Sequence, residues 1–90
     1  EMNLLAIDFN KYFKPGTELL CDVYIDMKKN HRIILYLKAH TVLSQETFDK
    51  LTNFDIKELY IKTDEKYLFL AYCARNKILS ELPITLSQRE

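Results

Sequence analysis

Two aspartates, Asp22 and Asp26, have the side chains that a catalytic carboxylate pair requires. Both point to the same side of a predicted strand. They are four residues apart, so their backbones are separated by roughly 13 Å at about 3.3 Å per residue. The paired carboxylates of glycosidases lie closer, roughly 5–9.5 Å apart. We therefore interpret Asp22 and Asp26 as solvated or ion-paired strand residues.

Histidine, serine and cysteine side chains are the other candidates for metal or nucleophilic chemistry. His31 and His40 have no Cys, Asp or Glu at metal-ligand spacing in the sequence. Ser44 has no base nearby and suits the first position of a helix, where its hydroxyl can cap the backbone N–H groups. Cys21 and Cys73 are interpreted as small apolar core residues. The sequence thus predicts no catalytic residue, no metal ligand and no cofactor site.

Composition excludes several classes of function. The single glycine, Gly16, cannot build the glycine-rich loops that hold phosphates or dinucleotides. Thirteen basic residues balance thirteen acidic ones, so the chain lacks the basic character of nucleic-acid and membrane-surface binding proteins. Two cysteines cannot form the disulfide framework of a small secreted domain, and a cytoplasmic location is expected.

An alternating stretch, residues 18–39, predicts a β-hairpin that positions most of these side chains. Cross-strand pairing of Ile25 with Ile33 keeps apolar residues on one face and leaves a three-residue loop. The residues predicted to face the core are Leu19, Cys21, Val23, Ile25 and Met27 on the first strand and Ile33, Leu35, Leu37 and Ala39 on the second.

The opposite face of the hairpin is predicted to be the surface that binds a partner. It combines apolar and tyrosine side chains, and the residues assigned to the interaction are Leu20, Tyr24, Ile34, Tyr36 and Tyr60. The alternative is that half-exposed tyrosines simply suit β-strands.

The remaining pattern predicts a helix at 44–53, a strand at 58–62 and a second helix at 64–82. Tyr67, Ala71, Ala74, Ile78 and Leu82 form the apolar stripe of that second helix, which ends before Pro83. The predicted fold is α+β, with a three-stranded sheet, two helices packed on one face and the order ββαβα. The second strand is placed at the centre of the sheet because it is apolar on both faces.

Three parts of the chain are distinguished. Residues 1–17 form an N-terminal segment anchored by Ile7, Phe9, Tyr12 and Phe13. Residues 18–82 form a single ββαβα domain, and residues 83–90 are expected to begin a linker to a downstream domain.

The order of these residues resembles an N-terminal domain found upstream of HD-GYP (HD-domain) phosphohydrolases in bacterial cyclic-di-GMP signalling proteins. The resemblance covers about residues 9–82, and the segments that carry it are 13–25, 34–37, 43–51, 58–62 and 67–82. HD-GYP domains of this kind hydrolyse cyclic di-GMP through a metal centre. The chain contains no His-Asp dipeptide and no Gly-Tyr-Pro triplet, so the resemblance implies that catalysis belongs to the downstream domain.

The expected function is therefore that of a non-catalytic regulatory, dimerisation or interaction module. Its expected partner is the downstream HD-type domain of the same chain or a second copy of itself, with no nucleic acid and no membrane. One alternative is a small-ligand sensor domain, which an unexplained pocket would favour. Another is binding of single-stranded nucleic acid through an aromatic sheet face, although Asp22, Asp26 and Glu58 on that face would repel phosphates.

Overall fold

Four strands form one antiparallel sheet in the computed structural model of this chain, which describes residues 3–27, 29 and 32–79. The strands are β1 (Leu4–Asp8), β2 (Val23–Met27), β3 (Arg32–Leu37) and β4 (Glu58–Lys62), and their spatial order is β1-β4-β2-β3. The helices are α1 (Phe9–Tyr12), α2 (Gln45–Asn53) and α3 (Lys66–Arg75), and a 3-10 turn at Thr63–Glu65 leads into α3. The α+β class is confirmed.

The three-stranded ββαβα arrangement is wrong, because the predicted N-terminal segment supplies a strand of its own. β1 pairs with β4 from Leu4 opposite Lys62 to Asp8 opposite Glu58. Asp8 then caps α1, since its carboxylate accepts the Lys11 N–H at 3.0 Å. Strand β1 and helix α1 together bury the four predicted anchor side chains of this segment, Ile7, Phe9, Tyr12 and Phe13.

β3 lies at an edge of the sheet, so its predicted central position is wrong. Its outward side pairs with no strand among the described residues, and β2 separates it from β4. Ile33, Ile34 and Leu35 are 37–41% exposed. Apolar residues on both faces are typical of a buried central strand, but in β3 they are partly accessible to solvent.

The predicted hairpin register is wrong by one residue. Ile25 lies opposite Ile34 rather than Ile33, and a β-bulge then makes Tyr36 the extra residue of β3. The shift inverts the predicted faces of residues 32–35, because a slip of one residue turns each side chain to the other side of the sheet. After the bulge, Leu37 lies opposite Val23 and packs against the core, as predicted. Leu35 is consequently exposed, while Tyr36 packs against the core.

The core lies on one face of the sheet, between the strands and the helices. It contains the inward residues Ile7, Val23, Ile25, Leu59 and Ile61 together with Phe9, Phe13, Leu51, Phe69, Tyr72 and Cys73. Leu19, Cys21, Val23 and Ile25 are buried as predicted, whereas Met27 is 40% exposed. The core face of β2 was therefore predicted correctly except at its last residue.

Helix α2 begins as the sequence predicts. The Ser44 hydroxyl accepts the Thr47 N–H at 3.0 Å. At the other end Asp55 adopts a positive φ of 60°, and the N–H groups of Asp55 and Ile56 donate to the carbonyls of Thr52 and Leu51. This pair of bonds is a Schellman motif, which ends the helix and directs the chain into β4.

Helix α3 is shorter than predicted, because Lys77 adopts a positive φ of 57°. Its N–H donates to the Ala74 carbonyl, and the N–H of the buried Ile78 donates to Cys73. The buried face of α3 consists of Phe69, Tyr72 and Cys73. The predicted stripe through Tyr67, Ala71 and Ala74 is wrong, since all three are exposed. Leu82, Pro83 and the predicted linker 83–90 lie outside the described residues.

Candidate interaction site

An open cleft of about 840 Å³ lies between the β2–β3 hairpin and the connection from α2 to β4. We call it the hairpin cleft. Its apolar lining consists of Ile25, Met27, Ile34, Tyr36, Leu51, Phe54, Ile56 and Tyr60. Phe54 is 70% exposed at its mouth. The cleft thus presents aliphatic, aromatic and thioether side chains to solvent.

The cleft opens where β2 and β4 part. The two strands are paired at one position, where Tyr24 lies opposite Tyr60. Continuing that register would set Asp26 opposite Glu58, and like charges directly opposite one another destabilise a sheet. Both carboxylates line the cleft instead. Repulsion between them is a physical reason for the strands to separate at this end.

The same carboxylates act on Tyr60. The pKa of its phenol is raised above the usual value by desolvation first, and then by the negative charges of Glu58 and Asp26. The Tyr60 hydroxyl also donates a long hydrogen bond of 3.4 Å to Glu58. Tyr60 therefore remains protonated at neutral pH and is a hydrogen-bond donor at the edge of the cleft.

Charges around the cleft balance. Three lysines, Lys29, Lys50 and Lys57, line it together with the carboxylates Asp26, Asp55 and Glu58. Lys57 and Asp55 form an exposed ion pair at 2.9 Å. Three positive and three negative groups give no net charge, so the rim selects neither anions nor cations.

The second candidate surface is the free edge of β3. Ile33 is 40% exposed, Ile34 37% and Leu35 41%. Ile33 and Leu35 lie on one face of the sheet, while Ile34 and Tyr36 lie on the other and line the hairpin cleft. An edge strand also carries unpaired backbone N–H and C=O groups, which form a template for another strand. We call this surface the β3 edge.

The five predicted interaction residues do not form one patch. Tyr24 and Tyr60 are neighbours on the face away from the core, but Tyr24 is only 7% exposed. Ile34, Tyr36 and Tyr60 all line the hairpin cleft, but Ile34 lies on the face of the sheet opposite to Tyr60. Leu20 packs against the core. The predicted single tyrosine face is divided between two sides of the sheet.

In the hairpin cleft and at the β3 edge, sequence reasoning missed four exposed apolar residues, namely Met27, Ile33, Leu35 and Phe54. The first three were assigned to the buried face of the hairpin. The available signal was the run of three apolar residues from Ile33 to Leu35, which no two-sided alternation explains. Phe54 directly follows the predicted helix 44–53, where its exposure depends on the path of the chain after α2.

Asp22 and His40 each contact a residue in or next to the hairpin. The Asp22 carboxylate accepts the Ala39 N–H at 2.8 Å and ties the two ends of the hairpin together. The His40 Nδ1 lies 2.9 Å from Glu18, whose other carboxylate oxygen lies 3.3 Å from Arg75. This network is exposed, and His31 lies outside the described residues.

Both thiols are buried and held in the protonated form. Burial raises the pKa of Cys21 to about 12, with smaller contributions from Glu65 and Asp22, and raises the pKa of Cys73 to about 11. A thiol of such high pKa is a poor nucleophile at neutral pH. Within the described ranges, no group of three or more His, Cys, Asp or Glu side chains is arranged to hold a metal ion.

Comparison of the chain with protein-family models, curated proteins and solved structures gave no significant match. The helices of the described part of the chain are all too short or too polar to cross a membrane.

Proposed function

We propose that this domain is a non-catalytic interaction module that binds a partner by accepting a β-strand at the β3 edge. The observation that carries the proposal is the exposure of Ile33, Ile34 and Leu35 on an edge strand. Strand addition uses the backbone groups of the edge for affinity and the side chains of both strands for specificity.

The composition of β3 supports this proposal. Natural edge strands are usually protected from pairing by lysines, prolines, inward-pointing charges or a covering element. The strand from Arg32 to Leu37 contains no proline, and its one charge is at its first residue. Covering the exposed apolar groups would stabilise a complex by roughly 25 cal/mol for each Å² removed from water.

The resemblance to domains upstream of HD-GYP phosphohydrolases supports a regulatory role in bacterial cyclic-di-GMP signalling, in the cytoplasm. In this proposal, hydrolysis belongs to a downstream HD-type domain, and the partner of the β3 edge is that domain or a second copy of this chain. The buried thiols and the structural contact of Asp22 support a module without chemistry of its own.

Hydrogen exchange tests the proposal in the full-length protein that contains this chain. We expect the amides of residues 33–36 that point away from β2 to exchange slowly when the edge is covered. Leu35→Lys should restore fast exchange, because it introduces a charge into the covered edge. Leu79→Lys is the matched control, since Leu79 is exposed and lies outside β3 and the cleft. Fast exchange of these amides in the unmodified full-length protein would refute strand addition.

The hairpin cleft favours a second candidate function, small-ligand sensing. Its volume of about 840 Å³ falls within the range of roughly 300–1,000 Å³ typical of ligand pockets, and its apolar lining with a polar rim is also typical. Its balanced rim charges favour an uncharged or zwitterionic ligand with an apolar body.

A fluorescent apolar dye, 1-anilinonaphthalene-8-sulfonate, tests whether the cleft binds such a body. We expect saturable binding that Phe54→Ala weakens and Tyr67→Ala leaves unchanged, because the two aromatic residues are similarly exposed but only Phe54 lines the cleft. Equal effects of the two substitutions would remove the support for a ligand site.

A further inference from the structure

We infer that the strand accepted by the β3 edge is β3 of a second copy of this chain, paired antiparallel about a two-fold axis at Ile34. The inference rests on the proposed function, since it requires the β3 edge to accept a strand. It adds the identity of the partner and the register of pairing.

β3 is apolar on both of its faces, and this limits the composition of a strand that can pair with it. Ile33 and Leu35 present apolar groups on one face of the sheet, and Ile34 presents one on the other. A strand with one polar face would leave one of these groups beside a polar side chain. The partner strand must therefore be apolar on both faces over three consecutive residues, which is the composition of β3 itself.

Sheet geometry limits the register of such a pair, because residues directly opposite one another lie on the same face. Pairing centred on Ile34 places Ile34 opposite the partner's Ile34 and Ile33 opposite the partner's Leu35. Arg32 then lies opposite the partner's Tyr36, where a guanidinium can stack on an aromatic ring. Each exposed apolar side chain of β3 meets an apolar one in this register.

The neighbouring registers are less favourable. Centring the pair on Leu35 would place Arg32 opposite the partner's Lys38, and like charges opposite one another are destabilising. Centring it on Ile33 would pair only residues 32–34 of each β3, because the strand begins at Arg32, and would leave Leu35, Tyr36 and Leu37 without an opposing β3 residue. Charge complementarity and the length of β3 thus select the register centred on Ile34.

The resulting dimer joins two four-stranded sheets into one sheet of eight strands, with β3 next to the partner subunit's β3. Pairing removes one free edge from each copy. It is an isologous contact of the kind found in two-fold dimers, which are the commonest protein oligomers. The hairpin clefts remain on the same face of the joined sheet, one in each copy.

Cysteine cross-linking tests the partner and the register together. The chain's own cysteines, Cys21 and Cys73, are buried, so an introduced cysteine supplies the reactive thiol. Under mild oxidation, Ile34→Cys should give a disulfide-linked dimer, since opposed Cα atoms lie roughly 4.5–5.5 Å apart. Ile33→Cys alone should not, because a two-residue offset places its Cα atoms about 8 Å apart, beyond the reach of a disulfide.

A mixture of two single variants provides an independent test of the register. Chains with Ile33→Cys and chains with Leu35→Cys should form a mixed disulfide, because the inferred pairing places these positions opposite each other. Circular dichroism shows whether Ile34→Cys folds. If it does not fold, the mixture still tests the register. Cross-linking of Leu35→Cys with itself, without a mixed disulfide, would overturn the register.

Sedimentation of the unmodified chain tests self-association. We expect a concentration-dependent dimer whose dissociation constant rises about tenfold or more in Leu35→Lys, because two charges enter the apolar contact. Leu79→Lys should leave it unchanged. A chain that stays monomeric at millimolar concentration would overturn the inference. Slow exchange of the β3 amides in the full-length protein would still support strand addition by another partner, so the two failures are distinguishable.

Discussion

The hydroxyl groups of Tyr72 and Thr17 lie 2.8 Å apart, and this hydrogen bond joins α3 to the segment that leads into the hairpin. The Tyr72 hydroxyl also accepts the Lys14 N–H at 3.2 Å. Its ring packs against Phe13 and Phe69 in the core. The Tyr72 side chain thus fixes the turn at Pro15-Gly16 to the helical layer.

Tyr72→Phe should lower the free energy of unfolding by about 1–3 kcal/mol, because it leaves the Lys14 N–H without its acceptor in a partly buried position. Tyr67→Phe is the control, since the Tyr67 side chain is 68% exposed and removing its hydroxyl should change the free energy of unfolding little. Urea unfolding of both variants measures the difference. Equal midpoints for the two variants would show that the hydrogen bonds of the Tyr72 hydroxyl to Lys14 and Thr17 contribute nothing to stability.

Asp22 and Asp26 should respond differently to the same substitution. Asp22→Ala removes the acceptor of the Ala39 N–H and should lower the free energy of unfolding by about 1–3 kcal/mol. Asp26→Ala should lower the free energy of unfolding by a smaller amount, because it relieves the repulsion from Glu58 at the cleft. Chemical denaturation of both variants provides the measurement. A larger loss for Asp26→Ala would contradict the roles assigned to the two carboxylates.

The two cysteines should react with a disulfide reagent at pH 8 only after the chain unfolds. Both are buried, and their pKa values of about 12 and about 11 keep the thiolate fraction small in the folded state. The rate of thiol release, followed with and without denaturant, checks this expectation. Rapid reaction of either thiol in the native chain would contradict the burial of its side chain.

The same pKa shifts should make the fold less stable at alkaline pH. The pKa of an unfolded thiol is roughly 8.5, so above that pH the unfolded chain loses protons that folded Cys21 and Cys73 retain. Stability is therefore greatest below about pH 8.5 and falls as the pH rises toward 11 and 12. Urea midpoints at pH 8 and pH 10 should differ less in Cys21→Ala than in the unmodified chain. An equal difference would exclude Cys21 as a contributor.

Single-stranded oligonucleotides should not bind at physiological salt. Tyr24 is too buried to stack on a base, and the carboxylates of Asp26 and Glu58 border Tyr60. Fluorescence anisotropy with a labelled oligonucleotide provides the test. Micromolar binding by the unmodified chain would favour the nucleic-acid alternative over strand addition.

Structure changes how the interaction surface is to be probed. The sequence pattern predicts Tyr36 on the outward face of the hairpin. Tyr36 instead packs against the core, so Tyr36→Asp would disturb folding and binding together. Leu35 is the better position, because its side chain is exposed on the face away from the core.

Local patterns in the sequence determined several elements of this protein. The strand 58–62 was predicted with its observed bounds, because Leu59 and Ile61 alternate with polar residues over the whole segment. The start of α2 follows from the capping hydroxyl of Ser44. Such features depend on neighbours within a few residues, which a single sequence contains.

Tertiary structure decided the position of β3, its register and the surfaces that follow from them. Alternation cannot choose a register for a strand that is apolar on both faces, since either face of Ile33-Ile34-Leu35 can pack inward. Residues 4–8 form a strand by pairing with β4, a distant segment that the local pattern of residues 1–17 does not identify. The hairpin cleft likewise depends on where β2 and β4 part, a relationship between residues more than thirty positions apart. Contacts of this kind depend on how the whole chain packs, and the sequence pattern of each segment is compatible with more than one packing.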